Sequence, residues 1–355
     1  MSETLAPLRA AVVGLGWAGE THLKAYKALP GVEVVAIADA DADRLHKVRK
    51  EHAVPYAYSD WQEMLTRDDI DVVSIATPNY LHMPVAVAAL QSGKHVMSEK
   101  PLARSAAEAQ RMVEAAEAAG RALDVSFNHR KRGDVQALRR IIDEGTLGQV
   151  YYAKTYWLRR RGTPFWGGWF SQHQLSGGGP LIDIGVHMLD MALFLMGEPE
   201  AVSVSASTYA ELAPKGRGSA HPLQGEFDVE DLATAFIRMA NGATLLLEAS
   251  WAGYGRHYDD FGVELYGTTG GASLENREWK NDDTLRLYLD QGGVPTVAQP
   301  RVSTAGGHAD AIRDFVQRIR SGDWAGCTGR EGLKRSQIIE AAYTSAREGR
   351  EVRLA

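Results

Sequence analysis

Two patterns of apolar positions divide the chain. Up to about residue 128, short β-branched runs alternate with amphipathic segments. "LRAAVVGL" (8–15) and "VEVVAIAD" (32–39) are continuous apolar runs of buried-strand type. Between them, 18–29 places Ala18, His22, Ala25 and Leu29 on one helical stripe. Helices over 41–53, 60–67, 79–92 and 105–119 then alternate with strands over 71–77, 94–100 and 122–128. That spacing predicts a parallel sheet with helices on both faces.

After about residue 148 the period changes from helical to two. Residues 150–159, 201–209, 231–239 and 243–254 read as long strands, with 262–267 and 284–289 as further ones. Asn241-Gly242 reads as a hairpin turn, since both residues tolerate positive φ. Long strands without helices between them predict a mostly antiparallel sheet. Helices over 308–320 and 329–347 close the chain, and 211–227 and 290–306 read as loops.

Composition narrows the partners. A chain of 355 residues favours two cores over one. A net charge of -6 argues against a polyanion, so no nucleic acid is expected; Arg159-Arg160-Arg161 is the local exception. The one cysteine excludes an intrachain disulfide, and no Cys/His spacing suits zinc, so no metal is expected. No basic region followed by an apolar stretch opens the chain, and no apolar run approaches the ~20 residues that span a bilayer. The expectation is a cytoplasmic protein with no membrane partner.

Gly14-Leu15-Gly16-Trp17-Ala18-Gly19 directly follows the first strand and opens the first helix. Asp39 ends the second strand ~20 residues on, as a dinucleotide fingerprint requires. The glycines permit a tight turn and close approach of a pyrophosphate to helix N–H groups, so Gly14, Gly16, Trp17 and Ala18 are expected cofactor contacts. Asp39 would accept from both adenosine-ribose hydroxyls. That favours NAD over NADP, whose 2′-phosphate would meet a carboxylate; Arg44, on the next helix, is the group that could swing towards such a phosphate. The expected fold class is α/β. A Rossmann NAD-binding domain spans 1–128, and a C-terminal α/β domain with a large, mostly antiparallel open sheet spans 129–355. The final helix is free to pack back on the N-terminal domain.

With that fingerprint, "ATPNYLH" (76–82), "SEKP" (98–101) and the Asp183-x-x-x-His187 helix resemble the glucose-fructose oxidoreductase / inositol dehydrogenase family, Gfo/Idh/MocA. The resemblance covers nearly the whole chain. It implies an NAD-dependent enzyme oxidising a sugar or polyol hydroxyl reversibly. It implies that Thr77, Pro78, Asn79, His82 and Glu99 join Lys100 in holding the cofactor, and that Arg130 lies near the substrate. It also implies a cis Lys100-Pro101 bond.

The same residues suit the chemistry independently. Oxidising a secondary alcohol needs a hydride acceptor and a base for the hydroxyl proton. An unperturbed imidazole titrates in the range that suits this base, which makes His187 the candidate, and Asp183 lies one helical turn earlier on its face. Pro180 suits a first helical position, which puts Asp183 in the favourable N-terminal field. Lys100 ends a parallel strand at the sheet's carboxyl edge, where it could hold the reacting oxygen and stabilise charge on it. Asp190, a turn beyond His187, reads as a supporting group. A lone histidine on an apolar helix is more often packed in a core. Its conjunction with the fingerprint and Lys100 points to catalysis by Lys100, Asp183 and His187.

Residues 155–173 concentrate Trp157, Trp166 and Trp169 with Phe165, Phe170 and His173 just before that helix. Aromatic faces pack against the C–H faces of a pyranose, or else fill an interface. Tyr156, Arg159 and His257 are further candidates for hydroxyl contacts, and two inward arginines would favour a sugar acid or phosphate. The expected substrate is thus a sugar, glycoside or cyclitol. Two alternatives stand beside the dehydrogenase: an NAD-dependent glycosidase working by transient oxidation and elimination, and a non-catalytic nucleotide- or sugar-sensing protein. Intact Lys100, Asp183 and His187 argue against the second. Finally, two helices after residue 200 cover one sheet face only. The other would carry either the Leu245, Leu247, Ala249 set or the Leu246, Glu248, Ser250 set, which predicts a homodimer or homotetramer built through that sheet.

Overall fold

The first apolar runs become strands buried on both faces: Ala10–Val13 and Val72–Ile75 are buried throughout in the computed structural model, which describes residues 7–164 and 167–354. β1 (Leu8–Val13), β2 (Val32–Ala38), β3 (Tyr56–Tyr58), β4 (Val72–Ile75), β5 (His95–Ser98) and β6 (Leu123–Val125) form one parallel sheet. Its order is β3-β2-β1-β4-β5-β6, so the strand order reverses between β1 and β4. Open α/β sheets bind ligands outside the carboxyl ends of the strands at such a reversal. Gly14 leaves β1 there, and Thr77 leaves β4.

The chain divides into two units. Residues up to Asn128 group with Gly307–Ser336, and His129–Gly306 groups with the segment from Gln337 onward. The return at Gly307 differs from a simple boundary at 128. Its cause is a stripe on helix His308–Ser321, where Ala311, Ile312, Phe315, Val316 and Ile319 are buried. The stripe joins Val12, Leu23, Tyr26 and Val34 in one apolar cluster. Burying each large side chain is worth about 1.5–3 kcal/mol, enough in sum to keep that helix on the first unit.

The second unit is built on β7 (Val150–Arg159), β8 (Ala201–Tyr209), β9 (Leu232–Met239), β10 (Thr244–Ser250), β11 (Asp259–Gly267), β12 (Gly270–Arg277), β13 (Leu285–Gln291), β14 (Val294–Ala298) and β15 (Val352–Arg353). Their order is β14-β13-β12-β11-β7-β10-β9-β8-β15. β7 and β10 pair in parallel, and the other pairs are antiparallel. Three local readings need correction. The loop expected over 290–306 contains β14, whose Pro295 sits on an edge strand, where a missing N–H is tolerated. Helix Gly133–Asp143 lies in a segment left unassigned by periodicity, with Val135 and Leu138 buried three residues apart. At Asn241-Gly242 only Gly242 has positive φ, at 85°. The loop therefore has a third residue, Ala240, and the Asn241 side chain accepts from the Ala243 N–H at 3.0 Å.

The inner sheet face is covered by a helix the sequence assigned to chemistry. A π turn, Leu181–Gly185, runs into α-helix Val186–Leu195, which is buried on nearly every side. Leu245, Leu247 and Ala249 lie buried on β10 beneath it, whereas Leu246 and Glu248 point to the other face. A Cβ on Gly185 would come within 3.0 Å of the Ala249 Cβ, so the contact is close. The stretch His173–Leu195 is long and apolar enough to cross a membrane by length and composition, which corrects the expectation that no segment comes near. Its apolar window is 89% buried within the protein, as befits a core helix.

Candidate active site

In the first unit each fingerprint glycine has its own steric reason. Gly14 has φ 85°, and a Cβ on it would lie 2.5 Å from the Ala76 carbonyl oxygen at the end of β4. A Cβ on Gly19 would lie 1.8 Å from the Gly14 carbonyl oxygen, so helix Trp17–Lys27 packs directly on the turn. Gly16 has open space around it. The helix begins at Trp17, leaving its first-turn N–H groups without intrahelical partners beside that space. Asp39 is held ready: its carboxylate accepts from the Leu15 N–H at 2.7 Å and the Asp41 N–H at 2.8 Å. Arg44 pairs with both Asp39 and Asp41, at 3.3 and 3.1 Å. The buried Thr77 hydroxyl next to this turn has no partner among the described residues. An open glycine turn, a poised carboxylate and an orphaned hydroxyl fit a dinucleotide.

The peptide Lys100-Pro101 is cis, as expected. Glu99, the preceding residue, accepts from the Lys100 N–H through Oε2 at 3.2 Å. Its Oε1 meets His22 Nε2 at 2.9 Å and His308 Nε2 at 3.5 Å. His22 Nδ1 lies 2.7 Å from the Ser74 hydroxyl. Burial alone would push the Glu99 carboxyl up, but the His22 hydrogen bond and nearby His308 and Lys100 bring it down to about 2. His22, Glu99 and His308 bring donor atoms within 4.8 Å of one another. The His22–Glu99 distance is that of an ordinary hydrogen bond, and the cluster serves as the buried support of the Lys100 turn. Trp17 stands 76% exposed, its ring edge-on to His308 at 5.4 Å. Asn79 is buried, following Pro78 in a short 3-10 turn. His82 lies beneath the loops, with Nδ1 2.8 Å from the Pro101 carbonyl and Nε2 2.9 Å from the Thr77 carbonyl. Burial pushes its pKa down, against the two carbonyl contacts, which raise it. The ring ties the β4 loop to the proline turn.

The second unit carries the helix of Asp183 and His187. Asp183 lies in the π turn and accepts from the indole N–H of buried Trp251 at 2.9 Å. His187, on the next turn, is buried against His129, with ring centroids 4.7 Å apart, and against Trp157 at 5.8 Å. Trp157 lies across from Ala249 on β10 and Phe261 on β11, on the face that the helix covers. Its indole N–H donates to Asp259 at 2.8 Å, and the same carboxylate receives Arg159 at 3.0 Å and the Trp279 indole at 2.9 Å. Trp169 stacks on Phe170 at 3.9 Å, and Phe170 in turn meets Trp251 edge-on.

Several expected substrate contacts lie elsewhere. Tyr156 is one residue out of phase with Trp157 and so projects from the opposite face, against His257 and 3.4 Å from Glu275. Arg130 donates to Asp190 at 2.7 Å and also reaches Glu198 at 3.5 Å. The Asp190 carboxylate thus has an ion-pair partner, in keeping with a supporting group. His173 is exposed, and its backbone N–H donates to Asp228. Trp166, with Phe165, lies outside the described residues. Sequence reasoning missed His129, Trp251, Asp259, Trp279 and Glu230. Of these, only the tryptophans carried a signal, as large side chains with one polar atom.

Residues 8–127 match a family model described as "Oxidoreductase family, NAD-binding Rossmann fold", and residues 135–273 match one described as "GFO/IDH/MocA C-terminal domain". The chain is 32% identical to D-glucoside 3-dehydrogenase of Escherichia coli (strain K12), across 99% of each protein. It is 34% identical to levoglucosan dehydrogenase of Pseudarthrobacter phenanthrenivorans, over 80% of this chain and 77% of that one. A solved structure of levoglucosan dehydrogenase in complex with NADH superposes with a TM-score of 0.87 at 28% identity, covering 98% of this chain and 99% of that one.

Proposed function

The chain belongs to the Gfo/Idh/MocA family of NAD-binding sugar oxidoreductases, and from that premise we propose that it moves hydride between NAD and a secondary hydroxyl of a sugar, glycoside or cyclitol. The observation that carries the reading is the setting of His187: buried beside Trp157 and His129, one turn after an Asp183 fixed by Trp251. Gly14, Gly16, Asp39 and Thr77 hold the dinucleotide. When bound, NAD supplies the hydride acceptor. His187 takes the hydroxyl proton in oxidation and returns it in reduction. Asp183, anchored by the indole, orients the hydroxyl and favours the charged imidazole. Lys100 holds the reacting oxygen and stabilises negative charge developing on it. The Trp157 face provides an apolar wall for C–H groups. Names of the relatives favour glucosides and levoglucosan as first substrates. We also propose a homodimer or homotetramer, assembled through the outward face of the second sheet.

The test is a panel of methyl glucosides, levoglucosan and inositols with NAD, following absorbance of the reduced cofactor. Replacement His187→Ala should lower turnover by about 10²–10⁴-fold while NADH binding stays unchanged. Near-normal turnover in that variant would remove His187 from the reaction. Release of an aglycone without net NADH would assign the glycosidase reaction instead.

A further inference from the structure

The glycines ahead of the Asp183–His187 helix are there because other groups occupy the space of a side chain. A Cβ on Gly178 would lie 2.0 Å from the Tyr343 hydroxyl, and one on Gly179 would lie 2.1 Å from the Glu230 carbonyl oxygen. Glu230 is itself buried. Its Oε2 accepts from the Gly179 N–H at 2.8 Å. Its Oε1 accepts from the Leu181 N–H at 3.0 Å and the Tyr343 hydroxyl at 2.9 Å. A carboxylate from the strand side of the unit thus engages the first N–H groups of the helix, where negative charge is favoured.

Those groups open the π turn. Leu181 is its first residue, and the Asp183 N–H donates back to the Gly179 carbonyl at 3.1 Å. A π turn holds one residue more than an α turn needs. If Leu181–Gly185 relaxed to α geometry, side chains before it would rotate by about 100° relative to those after it. Asp183 lies within that turn and His187 beyond it, so their relative direction depends on it. Packing alone does not call for a carboxylate here, since a buried charge is commonly matched in stability by an apolar group of similar volume.

We propose that Glu230, held by Tyr343, is a positioning residue for His187: it fixes the start of the π turn and so the angle at which Asp183 and His187 leave the helix. The proposal rests on the reading of His187 as the acid–base group, and the experiment separates the two. Protein with ring-¹³C histidine is compared as wild type, Glu230→Gln and Tyr343→Phe, the His187 signal being assigned by its loss in His187→Gln. In both positioning variants the His187 signal should shift or split, while those of His22 and His308, in the first unit, stay in place. Turnover should fall by about 10- to 100-fold, the scale expected of a sub-ångström to ångström misplacement, with KM for NAD changed by less than about two-fold. A structural role alone would lower the melting temperature and leave the His187 signal where it was; that result overturns the proposal. Should Glu230→Gln fail to fold, Tyr343→Phe decides, because it removes one hydroxyl and keeps the ring. If the signal moves in the variants but His187→Gln retains wild-type turnover, the positioning stands and the acid–base reading falls.

Discussion

Asp39 meets its ligand with a carboxylate already ordered by the Leu15 and Asp41 N–H groups. A 2′-phosphate brought to it would face a like charge, a contact that costs several kcal/mol. Each 1.4 kcal/mol is tenfold, so kcat/KM should be at least about tenfold higher with NAD than with NADP. Arg44 does not reverse this, because its guanidinium is paired with Asp39 and Asp41. Asp39→Ser releases Arg44 from one partner and should move the ratio towards NADP; an unchanged ratio would show that another residue sets the preference. At this scale, legibility followed chemistry. Gly14, Asp39, Lys100, Asp183 and His187 stood out because each is a residue type suited to the proposed chemistry at a recognisable spacing. His82 and Arg130 did not: one bridges two loop carbonyls and the other pairs with Asp190, contacts between positions far apart in the chain.

His95 shows how one element couples to pH. It opens β5, its Nδ1 accepts from the Ala122 N–H at 3.0 Å where β6 begins, and its ring lies edge-on to Trp324 at 4.9 Å. Burial, with the charge of Arg121 adding to it, lowers its pKa to about 4. The folded value lies below the unfolded one of about 6.5. Between those values the unfolded chain binds more protons, so stability falls as pH drops from about 6.5 to about 4 and this contribution levels off below. Buried His82 and His308, also lowered, act in the same direction. Urea unfolding between pH 7 and pH 4 should show a shallower loss of stability in His95→Asn than in wild type. Equal slopes would mean that His95 is not a source of the acid sensitivity. Element existence was plain wherever a run was buried on both faces, as in β1 and β4. The π turn was not, because a one-residue change of helical register leaves no mark in apolar periodicity, and Glu230, which accepts from its first N–H, lies some 50 residues away.

At the scale of the whole molecule, the outward face of the second sheet bears directly on assembly. It presents Tyr152, Lys154, Tyr266 and Tyr288, with Tyr152 and Tyr266 in ring contact and the Lys154 ammonium near both. Tyr288 is 44% exposed, and a groove of about 680 Å³ beside it is lined in part by Tyr151, Tyr266 and Val297. Such a face is more aromatic and less aliphatic than the alternation of β10 alone suggested, and aromatic surfaces of this kind are enriched at interfaces. Light scattering at micromolar concentration should give two or four times the mass of the 355-residue chain, and Tyr288→Glu should lower it. A single-chain mass for wild type would defeat the proposal. The amino-acid sequence by itself determined the two sheet types, the dinucleotide turn and the family, and it singled out Asp183 and His187 as candidates, because periodicity and short motifs are local properties. Tertiary structure alone decided that residues 307–336 return to the first unit, that Leu245, Leu247 and Ala249 face the core, that Trp157 rather than Tyr156 takes the helix-covered face, and that Glu230 caps the helix of His187. Each of those outcomes depends on which distant apolar stripe or buried donor a segment meets, and that is settled only when the chain packs.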